Sequence, residues 1–127
     1  MTAAAASSAG RGLEPARLLR LLGEQTRLRT AVLLHRHGEL CVCELTEAIG
    51  VSQPTMSRHL GHLRDVGLVT TRRSGQWIHY RLRDDLPDWA GELLTALARD
   101  LADVPPFRAD APRLRRAIAR NRSECEQ

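Results

Sequence analysis

The chain has 127 residues and a formal charge of +4, enough for one domain with short flanking segments. Aromatic residues make up only 3%, so the core must be mainly aliphatic, and a core this small often gains stability by dimerisation. No apolar run approaches the length of a membrane span. Three cysteines without a recognisable signal peptide favour reduced thiols in the cytoplasm over a disulfide-stapled secreted fold.

Helical periodicity predicts three short helices in the first half of the chain. Residues 1–12 are rich in Ala and Ser, and we expect them to form a disordered arm. Closely spaced leucines predict helices over Leu13–Leu22 and Gln25–His35. A third helix is predicted over Leu40–Ile49, and two cysteines lie at its start.

The next segment has the pattern of a helix-turn-helix. Gly50 allows a sharp turn, Ser52 is a good N-cap, and Pro54 is tolerated in the first helical turn. The helix is predicted to end at Gly67. Its apolar face repeats at i, i+4 and i+7 and consists of Met56, Leu60 and Leu63. A helix of this kind fits the DNA major groove while the preceding helix crosses the backbone.

The pattern changes from helical to strand-like at Leu68. Strands are predicted over Leu68–Arg73 and Gln76–Arg83, with Ser74 and Gly75 as a two-residue turn. The second strand alternates and places one apolar set on a single face: Ile78, Tyr80 and Leu82. The sequence therefore predicts a mainly α-helical winged helix-turn-helix with a small β-hairpin as its wing.

A long helix and a basic tail complete the chain. The helix is predicted over Leu86–Val104, and its apolar stripe consists of Leu86, Trp89, Leu93, Leu97 and Leu101. We expect this stripe to make contacts within the chain and between two chains. The domain is therefore predicted at residues 13–104. Residues 105–127 form an Arg-rich tail, expected to be peripheral, with a weak helix near residues 114–119.

Charge indicates a nucleic-acid face on the helix-turn-helix and wing. Residues 52–83 contain six arginines against one aspartate, whereas residues 84–107 are mainly acidic. Gln and Arg make bidentate contacts with adenine and guanine, and Ser and Thr contact bases or phosphates. The candidate DNA-binding residues are Ser52, Gln53, Thr55, Ser57, Arg58, His59, His62, Arg72, Arg73 and Gln76. For His59, an equally good alternative is packing between helices.

From about residue 13 to residue 104, the chain resembles the arsenic-repressor (ArsR/SmtB) family of bacterial metalloregulators. The resemblance rests on the following segments: Ser52–Leu60, Leu63–Arg64, Gly67–Val69, Tyr80–Leu82 and the cysteine box Glu39–Leu45, which is similar to that of the arsenite-responsive branch. It implies a homodimeric repressor rather than an enzyme, with no permanently bound cofactor. Such a repressor binds operator double-stranded DNA in the cytoplasm until trivalent arsenic or antimony binds.

The resemblance assigns Cys41 and Cys43 as thiolate ligands, which suits a thiophilic inducer. A helix N-terminus lowers the pKa of a thiol and so favours the thiolate. Residues i and i+2 of a helix point to nearly opposite sides. One ion bound to both thiols is therefore expected to unwind the first turn and displace the helix-turn-helix.

The third ligand position is open. The family box commonly carries another cysteine one turn beyond the pair, where this chain has Thr46. A small cellular thiol, the methyl group of a monomethylated arsenical, or Cys125 from the tail of either chain could fill the position. The family's zinc site on the last helix is not expected, because residues 84–104 contain no His.

Two other functions fit parts of the pattern. A redox or persulfide sensor would use the same DNA-binding domain with Cys41 and Cys43 as its switch, although a disulfide at i, i+2 is strained. A thiol-disulfide enzyme or metal carrier is the other alternative. It fits poorly, because the chain lacks a Cys-x-x-Cys motif and a nucleophile–base set.

Overall fold

A computed structural model describes the backbone of residues 13–125 and the side chains of residues 13–121. In chain order the elements are α1 (Pro15–Leu22), α2 (Gln25–His37), β1 (Leu40–Cys41), α3 (Val42–Ile49), α4 (Gln53–Val66), β2 (Val69–Ser74), β3 (Trp77–Leu82), α5 (Asp88–Leu101) and α6 (Phe107–Cys125). No helix in the described range is long and apolar enough to cross a membrane. The arm predicted at residues 1–12 lies outside the described residues.

Acidic N-caps start the first two helices. The Glu14 carboxylate accepts a hydrogen bond from the Arg17 backbone N–H at 2.8 Å, and Glu24 accepts one from Arg27 at 2.9 Å. The first helix therefore begins at Pro15, two residues later than predicted. The second helix runs two residues further than predicted and ends at Gly38, whose positive φ of 80° suits glycine.

The helix-turn-helix forms as the sequence predicts. Gly50 has a left-handed φ of 86°, and the Ser52 hydroxyl caps α4 by accepting the Thr55 N–H at 3.3 Å. Gly67, with a φ of 93°, ends the helix. The predicted apolar face is fully buried and comprises Met56, Leu60 and Leu63.

A third strand distinguishes the observed sheet from the predicted hairpin. The strand order is β1-β3-β2, and β1 pairs antiparallel with β3, with Leu40 opposite Tyr80 and Cys41 opposite His79. Residues 40–41 are therefore extended, and α3 begins only at Val42. The helix predicted from Leu40 was wrong at its start, because pairing with a strand 40 residues away overrides local helical preference.

The wing differs in its turn and in its apolar face. Ser74 pairs with Trp77, so Gly75 and Gln76 form the turn in place of the predicted Ser74–Gly75. Tyr80 is buried near the base of the hairpin, whereas Ile78 is exposed. Ile78, Tyr80 and Leu82 share one face of β3 as predicted, but that face is exposed at Ile78, because the hairpin tip extends beyond the core.

The most deeply buried face of α5 lies next to the predicted leucine stripe. The fully or nearly fully buried residues are Ala90, Leu94 and Ala98, one position after Trp89, Leu93 and Leu97. Trp89 is 36% exposed, and Leu93 and Leu97 are only partly buried against the core. Small alanines allow close packing within the chain, so the leucines of the stripe lie at the edge of the buried face and Trp89 is exposed.

The C-terminal segment packs against the domain. Helix α6 is longer than the weak helix predicted at residues 114–119, and Leu114 on it is fully buried in the main core. Asp110 forms a bidentate ion pair with Arg29 of α2, with N–O distances of 2.7 and 3.0 Å. The peripheral position expected for this segment is therefore wrong.

Candidate thiol site and nucleic-acid interface

Cys41 is the N-cap of α3 and lies outside the helix. Its φ of −90° and ψ of 164° are extended, and its backbone N–H donates to the Glu44 carboxylate at 2.9 Å. The Sγ atom of Cys41 lies 2.7 Å from that of Cys43. The opposed orientation expected for the two thiols was therefore wrong, because it holds only when both residues are helical. One ligand can reach both sulfurs without unwinding α3.

Burial has the largest effect on the pKa of the Cys41 thiol. The residue is 1% exposed, and burial is the largest of the effects that raise the pKa of its thiol to about 12. The hydrogen bond with Cys43 and the charge of Glu44 also raise this pKa, while the Glu44 backbone N–H lowers it. The lowering expected from the helix N-terminus is therefore outweighed for Cys41.

The thiol pair borders a cleft of about 430 Å³. The cleft lies between α3, the second helix of the helix-turn-helix (α4, called the recognition helix below) and the wing formed by β2 and β3. Gln53 and Ser57 of α4 line one side, and Gln76 and Trp77 line the other. Three of these side chains were predicted to contact DNA. The tertiary fold therefore brings the thiols and part of the predicted DNA-reading surface to one cavity.

Most of the predicted DNA-binding side chains are accessible. The exposed ones are Ser52, Gln53, Ser57, Arg58, His62, Arg72, Arg73 and Gln76. The Ser52 hydroxyl also caps α4 and donates to the Thr55 hydroxyl at 2.9 Å, and Thr55 is half-buried. Ser52 and Thr55 thus stabilise the first turn of α4.

His59 packs between helices. Its Nδ1 accepts a hydrogen bond from the Arg27 guanidinium at 3.0 Å, and its Nε2 lies 3.9 Å from the Glu24 carboxylate. Burial lowers the pKa of His59, which favours the neutral ring that this hydrogen bond requires. The geometry corresponds to the packing alternative for this residue.

Several arginines of the basic block form ion pairs within the chain. Arg72 of the wing makes a bidentate contact with Glu39, at 2.6 and 3.0 Å, and this hydrogen bonding lowers the pKa of Glu39. Arg81 pairs with Asp84 at 2.9 Å. Arg83 pairs with Asp85 at the same distance. Because carboxylates within the chain neutralise these arginines, the net positive charge around the wing is smaller than the arginine count of the sequence indicates.

Two site residues were missed in the sequence. Glu44 follows Cys41 by three positions, which is the spacing of a capping box and was a usable signal. Asn121 of α6 donates to the Cys41 Sγ at 3.5 Å and to the Glu44 carboxylate at 3.2 Å. It is 80 residues from Cys41, and no local pattern indicates it.

The described residues include no group of three His, Cys, Asp or Glu side chains that could hold a metal ion. Thr46 Oγ1, where the family box has its third cysteine, is buried and has no hydrogen-bond partner within the described part of the chain. The Cys125 side chain lies outside the described residues. Within residues 13–121, the site thus offers two thiols, Cys41 and Cys43, in contact with each other.

Comparison with known proteins identifies the family. The model of the bacterial regulatory protein arsR family matches residues 24–71. The arsenical resistance operon repressor of Escherichia coli is 46% identical over 82 residues, which cover 65% of this chain and 70% of that protein. The chain belongs to the ArsR family. ArsR1 of Pseudomonas putida, an arsenic resistance transcriptional regulator, is 48% identical over 82 residues. The match covers 65% of this chain and 64% of ArsR1, so the chain spans just under two thirds of the length of ArsR1.

Solved structures of ArsR-like regulators share the fold. The repressor BigR from Xylella fastidiosa is 42% identical, with a TM-score of 0.57 over 66% of this chain and 79% of BigR. A homodimeric winged helix-turn-helix DNA-binding domain from Mycobacterium bovis is 33% identical, with a TM-score of 0.55 over 69% of this chain and 77% of that one. This ArsR-family chain is therefore a winged helix-turn-helix transcriptional regulator and not an enzyme.

Proposed function

We propose that this ArsR-family regulator is a homodimeric repressor that binds operator DNA and releases it when Cys41 and Cys43 capture trivalent arsenic or antimony. One observation carries the proposal. The two sulfurs, 2.7 Å apart, border the cleft that α4 and the wing also line. A ligand bound there changes the space between the two elements that contact DNA. The named arsenic response of relatives 46–48% identical supports this inducer class.

The chemistry of capture suits protonated thiols. Arsenous acid, As(OH)₃, condenses with two thiols: two As–S bonds form, two As–O bonds break, and two water molecules leave with the thiol protons. The overall reaction releases no proton, so the raised pKa of Cys41 does not oppose it at equilibrium. The thiolate is the attacking form, so the rate of capture is expected to rise with pH.

One position on the arsenic stays open after this reaction. A hydroxyl group, a small cellular thiol or, for a monomethylated arsenical, a methyl group can occupy it. Among protein groups, we assign Cys125 as the candidate third ligand. Support comes from the helical backbone, because position 125 follows Asn121 by one turn and Asn121 contacts the thiol site.

For the DNA interface, we assign base contacts to the exposed N-terminal face of α4 and backbone contacts to the wing. Gln53, Ser57 and Arg58 are exposed on α4, with His62 one turn further along. Arg73 and Gln76 are exposed near the tip of the wing. Arg72 would join them by exchanging its Glu39 contact for a phosphate. Ser52, Thr55 and His59 remain lesser candidates because capping or packing occupies them.

Arg58→Ala is expected to weaken specific operator binding by about 1–3 kcal/mol, because a bidentate contact with guanine is lost. Titration of operator and random DNA at one salt concentration measures the effect. The matched control is Arg116→Ala, which removes an exposed arginine on α6. An equal loss on random DNA would instead make Arg58 a phosphate contact.

Dimerisation is assigned to the outward face of α5, where Trp89 is 36% exposed. Trp89→Glu is expected to shift the protein from dimer to monomer, because it places a charge in an apolar interface. Sedimentation equilibrium measures the change. Ile78→Glu on the wing is the control, since Ile78 has the same 36% exposure. If both variants remain dimeric, the interface lies elsewhere.

The proposal as a whole is tested by a mobility-shift assay on DNA selected by the protein from a random pool. Arsenite is expected to release the DNA, and a protein that never binds DNA would refute the proposal. A second candidate is a thiol redox or persulfide sensor, which the contact between the two sulfurs favours. Release by an oxidant or persulfide donor but not by arsenite would select that candidate.

A further inference from the structure

Helix α6 lies outside the residues that match the family model, yet it packs on the thiol-bearing helix α3 and is linked to both of its ends, in one case through Arg29. Near its start, Asp110 pairs with Arg29 at 2.7 Å. The same guanidinium donates to the backbone carbonyl of Ile49, the last residue of α3, at 3.3 Å. This end of α6 is therefore tied to the turn that leads into the recognition helix.

The other end of α6 is tied to the thiols. Arg120 forms an ion pair with Glu47 of α3. The Asn121 amide donates to the Cys41 sulfur at 3.5 Å and to one Glu44 carboxylate oxygen at 3.2 Å. The other oxygen of Glu44 accepts the Cys41 backbone N–H at 2.9 Å. A single network thus connects the N-cap of α3, its first turn and α6.

The space next to this network is suited to a third substituent. Cys43 also borders a second cleft, of about 240 Å³, whose walls include Trp77, Arg120 and Asn121. Cys41 has almost no exposed surface, and its sulfur lies between the Cys43 sulfur and the Asn121 amide. An arsenic atom bonded to both sulfurs needs room at Cys41, and displacement of the amide provides it.

From this geometry we infer that Asn121 is a positioning residue that stabilises the empty thiol site and is displaced by the inducer. The inference rests on the proposed function. A contact present in the empty site and lost in the loaded site lowers the apparent affinity for the inducer. Displacement of Asn121 also loosens the C-terminal end of α6, whose other end pairs through Asp110 with Arg29, the residue that donates to the Ile49 carbonyl. Helix α6 thereby links inducer capture to the turn before the recognition helix.

The test is direct titration with arsenite in the absence of DNA. Trp77 borders both clefts at Cys43, so its fluorescence reports binding, and a Trp89→Phe background removes the other tryptophan. Asn121→Ala is expected to lower the arsenite concentration at half-saturation by at least roughly 2- to 10-fold, the effect of a single hydrogen bond, because both contacts donated by the amide are lost. Asn121→Asp replaces the donors with a carboxylate at nearly constant volume, and repulsion from the nearby Glu44 carboxylate should lower it at least as much. Arg116→Ala, on the exposed face of α6, should match the parent protein.

Hydrogen exchange provides a second readout. Arsenite is expected to increase amide exchange in residues 107–121 of the parent protein, and the Asn121 variants should show part of this increase before arsenite is added. A parent protein that binds no arsenite refutes the proposed function itself. If the parent binds arsenite but the Asn121 variants bind it equally or more weakly, the proposed function stands and the role of Asn121 is overturned. Unchanged exchange in α6 on loading also overturns it.

Discussion

Cys41→Ser is expected to bind operator DNA and to keep it when arsenite is added. Serine has nearly the same shape as cysteine, but a neutral hydroxyl is a poor ligand for the thiophilic As(III). Coupling between an inducer and DNA is worth about 1–3 kcal/mol, so the parent protein should lose roughly 5- to 150-fold in operator affinity. The operator affinity of Cys41→Ser should be the same with and without arsenite. Operator titrations with and without saturating arsenite measure the difference.

Companion variants sharpen this prediction. Cys43→Ser should behave like Cys41→Ser, because the two sulfurs face each other at 2.7 Å. Cys125→Ser should respond like the parent if a hydroxyl group, a methyl group or a small thiol fills the third position. It should require more arsenite if Cys125 is a ligand. Release of operator DNA from Cys41→Ser by arsenite at the parent's concentration would disprove the assignment of Cys41.

Asp110→Ala is expected to lower the free energy of unfolding by about 3–5 kcal/mol, because it leaves a buried guanidinium without its partner. Asp110 is 1% exposed, and the Arg29 side chain with which it pairs is 12% exposed. For a domain of this size the loss is a large part of the total stability. Urea unfolding followed by circular dichroism measures it at a fixed protein concentration, because the proposed dimerisation would contribute to stability.

The matched control is a second ion pair on the same helix. Arg120→Ala removes the ion pair with Glu47. The side chain of Arg120 is 51% exposed, and that of Glu47 is 48% exposed. The expected loss is less than about 1 kcal/mol, because solvent screens exposed pairs. Equal and small losses for the two variants would show that α6 contributes little to the folded domain. That result would also weaken the inferred role of Asn121.

In the proposed function, the cleft replaces helix unwinding as the physical basis of the switch. Because Cys41 is an N-cap, both sulfurs are available to one ligand while α3 keeps its helical hydrogen bonds. The inducer is instead expected to act on the neighbours of the thiols. These neighbours are Trp77 on the wing, Gln53 on the recognition helix and Asn121 on α6.

Local chemistry allowed much of the fold and the DNA-reading element to be predicted. Ser52 caps α4 with its own hydroxyl, and Gly50 and Gly67 adopt left-handed conformations at the ends of helices. The apolar period of α4 gave its buried face correctly. Each of these features depends on residues within a turn or two of one another, so the sequence alone determined them.

Long-range contacts decided the rest. Pairing of Cys41 with His79 makes residues 40–41 a strand, and close packing of Ala90 and Ala98 leaves the leucine stripe of α5 only partly buried. Asn121 reaches the thiol site across 80 residues of sequence. The sequence by itself determined a helix-turn-helix with two nearby thiols. Only the tertiary structure decided that both sulfurs meet beneath α6, because that arrangement depends on contacts between segments whose local patterns are independent of each other.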